Sequence, residues 1–381
     1  MKIRRINLAP ILALLLGFTS PVRAATDIFV CGVGGTTTQS SGFTNFGASG
    51  GIRAFSVDTV ACNGGTTPAV WRATNNQHPV MIQNMFRLRN GRFEQIGQSW
   101  AKHGFYGETE DGCTICTPPV PDDGTLLGVG CCDTYRSFVN GLQSGLGPRS
   151  EINASNGIFP YPFCVSGCPD PDPVIGRRLQ VADTDLDTNP SVLYFIEAQY
   201  IHRSDCIAVP RTDGNNSSYR QVHLNQSKNL SAWVGDTVGF VSTLDAWVTH
   251  DTGVHLGSVD VPSDGTFYVA GKATDLGNGQ WHYEYAVQNY NSDRSAMTFT
   301  VPVSPGVSVS NIGFHGVACH SGEPYDNTDW DLPAEGPSPG SLTWATHPYP
   351  SDPNNASVTF AVTGGTVQSN RKLYVVPQRR A

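Results

Sequence analysis

The clearest hydrophobic pattern lies in the segment WHYEYAV, residues 281–287. Large apolar or aromatic side chains alternate along it with His282, Glu284 and Ala286. In an extended strand the two sets face opposite sides. An Asn278-Gly279 pair precedes the segment and is a strong signal for a tight hairpin turn. Residues 219–381 are therefore predicted to form an antiparallel β-sandwich of the immunoglobulin-like or jelly-roll kind. The aromatic face of this strand is expected to be buried in the core of the sandwich. Its residues are Trp281, Tyr283, Tyr285 and Val287.

Residues 25–218 show shorter apolar alternations separated by small and polar residues, which is typical of strands joined by many loops. One stretch has a helical period instead. Phe93, Ile96 and Trp100 fall at i, i+3 and i+7, and Gly104 follows as a stop signal. The predicted fold class is therefore mainly β, with one short helix near residues 93–103 in a loop-rich N-terminal half.

The first 24 residues have the pattern of a secretory signal peptide. Basic residues at the start precede an apolar run from Leu8 to Phe18, and Val22 and Ala24 suit a small-residue cleavage site. This run is too short to span a bilayer, and no later run reaches the roughly 18 apolar residues that a span needs. We therefore expect a secreted, periplasmic or cell-surface protein without a membrane anchor, beginning near Ala25.

The charge composition limits the kinds of molecule that this protein is expected to bind. Charged residues make up 15% of the chain and the formal net charge is −8, which argues against nucleic acid because phosphate binding needs a basic surface. An extracellular substrate or ligand is expected instead. Ten cysteines, nine of them before residue 207, predict disulfides concentrated in the N-terminal half. Their connectivity stays open, and a zinc site from CTIC and CC is the alternative.

Four segments together resemble a family of exported bacterial proteins: IGQSWAKHGF, GLGPRSEIN, WHYEYAVQNYNSDRS and GFHGVACHSGEPYDNTDW. The resemblance extends over about residues 93–330. It implies an exported bacterial protein and brings no activity with it.

Histidines in or beside these segments are the candidate metal ligands, because imidazole binds copper, zinc and iron. The predicted ligands are His103, His282, His315 and His320. Copper is favoured, with zinc or iron as alternatives, and Glu284 and Tyr325 are the candidate proton carriers. In the contrary interpretation these histidines are ordinary polar residues of strands and turns.

A second candidate cation site is the segment VADTDLDTNPS. Asp183, Asp185 and Asp187 alternate along it, and three carboxylates on one side of a loop suit calcium. The residues of a complete EF-hand loop are absent, and a solvated acidic loop is the alternative.

Two functions remain open at this point. The first is an exported, histidine-ligated oxidoreductase of the copper type acting on an extracellular substrate. The second is a non-catalytic secreted β-sandwich that binds a glycan, a peptide or calcium. A hydrolase using Glu151 and Glu323 is weaker, because no spacing isolates a carboxylate pair.

Overall fold

The computed structural model describes residues 25–380 except 36–40, 113, 166, 209, 294–295, 297, 318–319, 324–328 and 347–371, and it gives the backbone alone for 372–380. Within these residues the chain is mainly β and its sheets are antiparallel, as the sequence predicts. The signal peptide, Tyr325, Cys113 and Cys319 lie outside the described residues.

Twenty-four strands are described. The first twelve are β1 Ile28–Val33, β2 Phe43–Ser49, β3 Ile52–Val57, β4 Thr59–Asn63, β5 Ala69–Val70, β6 Val80–Arg89, β7 Arg92–Gln98, β8 Ala101–Lys102, β9 Glu110–Asp111, β10 Leu126–Leu127, β11 Cys131–Tyr135 and β12 Leu146–Gly147. The others are β13 Leu179–Ala182, β14 Leu193–Ile201, β15 Ser217–Leu224, β16 Leu230–Val238, β17 Val254–Asp260, β18 Thr266–Gly277, β19 Gln280–Asn289, β20 Thr298–Pro302, β21 Ser308–Gly316, β22 Gly336–Pro337, β23 Ser341–Ala345 and β24 Lys372–Arg380.

Helices are few and short in the described part. The α-helices are α1 Ser137–Asn140, α2 Arg203–Cys206 and α3 Leu244–His250. Single 3₁₀ turns occur at Gln143–Gly145, Arg149–Glu151, Asp183–Asp185 and Asp213–Asn215. No described helix has the length and apolar character needed to cross a membrane.

The largest sheet is a curled half-barrel of ten strands. Its main path runs β16-β15-β14-β6-β7-β13-β3-β2, and the short strands β8 and β12 join beside β6. The two edge strands approach each other, and the Asn45 amide bridges them by accepting from Leu230 N at 2.9 Å and donating to Leu230 O at 3.0 Å. This side chain takes the place of backbone–backbone hydrogen bonds between β2 and β16, so part of the hydrogen-bonding capacity at these two sheet edges is used.

The predicted helix near residues 93–103 is wrong: the segment forms β7 and β8. Asn90 and Gly91 have φ values of 54° and 76°, which suit a tight hairpin turn between β6 and β7. Phe93 then stacks on Phe86 of the neighbouring strand, with ring centroids 5.7 Å apart. Phe93 and Ile96 belong to two separate apolar clusters, so both faces of β7 are buried and apolar residues three positions apart imitate a helical period.

A smaller sheet, β1-β4-β11-β9, contains most of the clustered cysteines. The structure contains the disulfides Cys116–Cys131 and Cys164–Cys168, which confirms that close cysteine pairs occur in this half. The Cys62 sulfur contacts the sulfurs of both Cys31 and Cys132.

The C-terminal part packs a six-stranded sheet, β17-β18-β19-β24-β21-β22, against the pair β20–β23. The predicted turn at Asn278-Gly279 is present, with φ values of 54° and 74°. The predicted core face of β19 is partly confirmed, because Tyr285 and Val287 pack in the core between the two sheets. The opposite face is not solvent-exposed, since Glu284 and Ala286 are buried against the first sheet.

The predicted boundary between the loop-rich N-terminal half and the C-terminal β-sandwich, at residue 219, falls inside β15. This strand belongs to the first sheet. That sheet continues through β16, and the next sheet begins with β17. One buried apolar cluster joins the two sheets. It contains Phe86 and Phe195 of the first sheet together with Ala270 and Ala286 of the second. The sheets therefore share buried surface.

Candidate functional site

The four predicted histidine ligands occupy different surroundings. His282 lies 2.7 Å from Glu284 Oε1, where Arg92 also approaches the carboxylate, in a chain of charges between β7 and β19. Burial raises the pKa of Glu284, although Arg92 and His282 oppose the shift. The predicted catalytic carboxylate thus lies in an ion-pair network between two sheets.

His315 and His320 direct ring nitrogens at backbone carbonyl groups. His315 Nε2 lies 3.1 Å from Gln95 O, and His320 Nε2 lies 2.6 Å from Arg178 O. A ring nitrogen that donates its hydrogen to a carbonyl oxygen has no lone pair for a metal, and a neutral ring has one such nitrogen. Burial lowers the pKa of His320 to about 4.

His103 pairs with a histidine that the sequence analysis did not single out. His78 Nε2 lies 3.1 Å from His103 Nδ1, and both residues are buried. His78 Nδ1 donates to Arg72 O at 3.1 Å, so its Nε2 accepts from His103. Burial lowers the pKa of His78 to about 4 and holds that of His103 well below its usual value, so both rings are neutral at pH 7.

The predicted calcium ligands have separate partners. Asp183 accepts from Arg53 Nε at 3.0 Å, Asp185 lies 3.3 Å from Arg87 Nη1, and Asp187 accepts from a backbone amide of its own turn. Within the part of the chain that the structure describes, one group of three or more metal-ligating side chains has its donor atoms mutually within 4.8 Å, and it consists of cysteines. The four histidines and three aspartates are therefore not brought into common ligand sets.

A cavity of about 130 Å³ does bring several distant segments together. Its walls come from β7, β13, residues 315–317 and His320 among others, so Gln95 and His315 meet although 220 positions separate them. Two predicted metal ligands and one predicted calcium ligand lie in this lining, which we call the polar cavity. Its polar side chains are Gln95, Gln98, Gln180, Asp185, His315 and His320.

The turn His320–Glu323 separates the polar cavity from a neighbouring cavity of about 290 Å³, which is lined by Trp100, Pro169 and Gly322 among others. Gln180 holds the turn by donating to Ser321 Oγ at 2.7 Å. Gly322 has φ +91°, and a Cβ there would lie 3.0 Å from the Trp100 ring. The turn thus needs glycine both for its backbone angle and for its close approach to tryptophan.

Glu323 anchors this turn to the first sheet. Its carboxylate accepts from Arg149 N at 2.6 Å and, more weakly, from Ser150 N at 3.4 Å. The buried Arg149 side chain in turn donates to Ser99 O, Gln83 O and Asn84 Oδ1. The GLGPRSEIN and HSGE motifs therefore meet in one buried network that fixes one wall of the polar cavity.

Glu323→Gln is expected to change the pH dependence of stability. Burial raises the Glu323 pKa from 4.5 to about 6, against hydrogen bonds from Ser150 and Arg149 and the Arg149 charge. Below pH 4.5 the carboxyl is protonated in both states. Between pH 4.5 and 6 the unfolded chain loses this proton first. Rising pH therefore lowers the free energy of unfolding of wild type by roughly 2 kcal/mol. In urea unfolding, the free energy of unfolding of E323Q relative to wild type should increase by that amount between pH 4 and pH 7.

Asp122→Asn is the control, because it removes a carboxyl at an exposed position instead of a buried one. A difference between E323Q and wild type that stays constant from pH 4 to pH 7 would contradict the burial of a titrating carboxyl at this position.

His315, His320 and Asp185 were predicted from the sequence, but as metal ligands. The three glutamines carry no distinctive sequence pattern, and His78 lies outside the four segments that carry the family resemblance, so these four residues were not predicted.

Comparison of the chain with known protein families and with curated proteins gives no match.

Proposed function

We propose that this chain is an exported, non-catalytic β-protein that binds a small, uncharged polar ligand, such as one ring of a glycan, in the polar cavity. The observation that carries the proposal is the convergence of polar side chains from β7 and β13 with His315 and His320 on one cavity. Ligand sites are typically concave, largely apolar and supplied with a few placed polar groups.

The lining favours a neutral ligand. Amide, imidazole and carboxylate groups offer both donors and acceptors, and the described residues of the lining include no lysine or arginine side chain that would select an anion. The carboxylate of Asp185 already has Arg87 as a partner, which reduces its pull on a cation. Ile96 and Val181 supply apolar surface beside these groups.

The volume sets the size of the ligand. A cavity of about 150 Å³ holds one benzene molecule, so about 130 Å³ suits a single six-membered ring or a short polar side chain. A larger ligand would place one unit inside and the rest outside.

Ala182→Leu tests the proposal by filling part of the cavity, because Ala182 lines it at the end of β13. An array of neutral sugars, acidic sugars and peptides should yield a neutral ligand for wild type, and calorimetric titration should show A182L binding it at least tenfold more weakly, about 1.4 kcal/mol. Ala48→Leu, on an exposed position of β2, is the matched control and should bind like wild type. Equal affinity of A182L and wild type would exclude this cavity.

The histidine-ligated, copper-type oxidoreductase is a second candidate because of one observation. His78 Nε2 and His103 Nδ1 lie 3.1 Å apart, and two nitrogens on one tetrahedral metal at about 2.0–2.1 Å lie roughly 3.3 Å apart. The same separation suits the hydrogen bond between neutral rings. Mass-spectrometric metal content of the untagged protein decides: near-stoichiometric copper, zinc or iron that is lost in His78→Ala would support this function.

A further inference from the structure

The cavity of about 290 Å³ beside the polar cavity has no part in the function proposed so far, and we call it the loop cavity. Its walls are Trp100, residues 169–172 and 175–177, and the turn residues Ser321 and Gly322. The first of these ranges belongs to the proline-rich run CPDPDPV.

One turn separates the loop cavity from the polar cavity. His320 lines the polar cavity, and the next residue, Ser321, lines the loop cavity. The rings of Trp100 and His320, one from each lining, have centroids 6.1 Å apart. Ser321 and Gly322 are exposed, so a ligand that crosses the turn at the surface reaches both cavities.

The proline-rich wall is fixed before any ligand binds. Asp172 accepts from Ser49 Oγ at 2.8 Å, and Arg177 donates to Gln143 O at 3.1 Å and to Pro169 O at 3.3 Å. Arg177 has φ 64°, a left-handed conformation that is uncommon outside glycine and tends to occur at ligand sites. A preformed wall reduces the entropy that binding costs.

Two hydrogen-bond donors of the lining residues lack acceptors. Trp100 Nε1 and Arg177 Nε are buried and have no hydrogen-bond partner among the described residues. The Arg177 guanidinium lies over the Trp100 ring, 5.0 Å from its centroid, so the two donors belong to one stacked pair. A buried N–H group without an acceptor is unfavourable, and ligand oxygen atoms would supply the acceptors.

The rest of the lining suits a hydroxylated ring. The exposed carboxylate of Asp170 offers an acceptor, and Pro171 and Ile175 add apolar surface. The carboxylates of Asp170 and Asp172 accompany the single guanidinium, so the described lining does not favour an anion. Every described lining residue lies in a loop or a turn, so the cavity has no strand edge to which an extended peptide could add.

We infer that the ligand is a neutral oligosaccharide, with one sugar ring in the polar cavity and the next ring in the loop cavity. This inference rests on the proposed function, which places the first ring, and it adds the chain length of the ligand. A cavity of about 150 Å³ holds one benzene molecule, so about 290 Å³ leaves room for a ring and its linkage.

The experiment titrates residues 25–381 with glucose, mannose, xylose and N-acetylglucosamine, each as the monomer and as its linear dimer and trimer. For the sugar that binds, the dimer or trimer should bind at least tenfold more tightly than the monomer, about 1.4 kcal/mol. Hydrogen–deuterium exchange of wild type should show that the trimer, but not the monomer, protects residues 169–177. This readout does not depend on a variant folding.

Arg177→Ala and Asp170→Ala should each remove most of the gain in affinity from the longer sugar and leave monomer binding unchanged. Ala182→Leu should weaken the monomer and the trimer alike. Arg136→Ala, at an exposed position outside both linings, is the matched control and should bind every sugar like wild type.

The outcomes separate this inference from the function on which it rests. Monomer binding that A182L weakens, with no gain for the dimer and trimer or a gain that R177A and D170A retain, would overturn the loop-cavity subsite alone. Binding of none of these sugars, or equal binding by A182L and wild type, would overturn both. Protection of residues 169–177 by a peptide instead of a sugar would overturn the assignment to oligosaccharides.

Discussion

Replacing Arg149 by methionine is expected to lower the free energy of unfolding by about 3–5 kcal/mol, because it removes one partner from a buried charge network. The Arg149 guanidinium is 1% exposed and donates to Gln83, Asn84 and Ser99. Burial lowers its pKa to about 9, while the charges of Glu323 and Glu197 oppose the shift. Without it, both carboxylates would remain buried with less compensation. Urea unfolding at pH 7 measures the loss.

The matched control is Arg72→Met. Arg72 is exposed and donates to Gln77 at the surface, so its loss should cost less than about 1 kcal/mol. If R149M and R72M had the same small effect, the network around Glu323 would not hold the turn that walls the polar cavity.

Trp247→Ala is expected to cost a similar 3–5 kcal/mol, the range for truncating a large buried aromatic residue. Trp247 is fully buried on α3 and stacks on Phe93, with ring centroids 6.4 Å apart. The same cluster includes Ala270 and Ala286 of the second sheet. The loss should therefore appear in thermal unfolding as one shifted transition that involves both sheets.

Trp233→Ala provides the comparison, because Trp233 is only half-buried on β16 and should cost under about 2 kcal/mol. Two separate thermal transitions, with only the first shifted in W247A, would contradict the shared cluster and would favour independent N- and C-terminal domains.

The fold class was predictable because alternation survives in strands with one dominant buried face. WHYEYAV and its Asn-Gly turn are the best example, and β19 forms there. The helix near 93–103 was wrongly predicted because both faces of β7 are buried, so the apolar residues at 93 and 96 do not mark one face of a helix. The Asn90-Gly91 turn carried the missing signal, and it outweighed the helical period. The burial of Glu284 could not be foreseen, since it depends on another sheet that packs over it.

The candidate site was predictable only in part. His315 and His320 stood out by residue type, yet their ring nitrogens contact backbone carbonyl groups that sequence spacing does not reveal. Arg149 and Glu323 were noticed as parts of motifs, but their contact joins residues 174 positions apart. Three glutamines of the polar cavity are chemically ordinary, and only the folded sheet brings them together.

The most direct test of the central claim is hydrogen–deuterium exchange of residues 25–381 with and without the strongest neutral ligand found on the array. Ligand binding in the polar cavity should slow exchange in peptides covering 95–98, 180–185 and 315–317, and A182L should remove that protection at the same ligand concentration. Protection confined to other segments, or equal protection in wild type and A182L, would contradict ligand binding in the polar cavity.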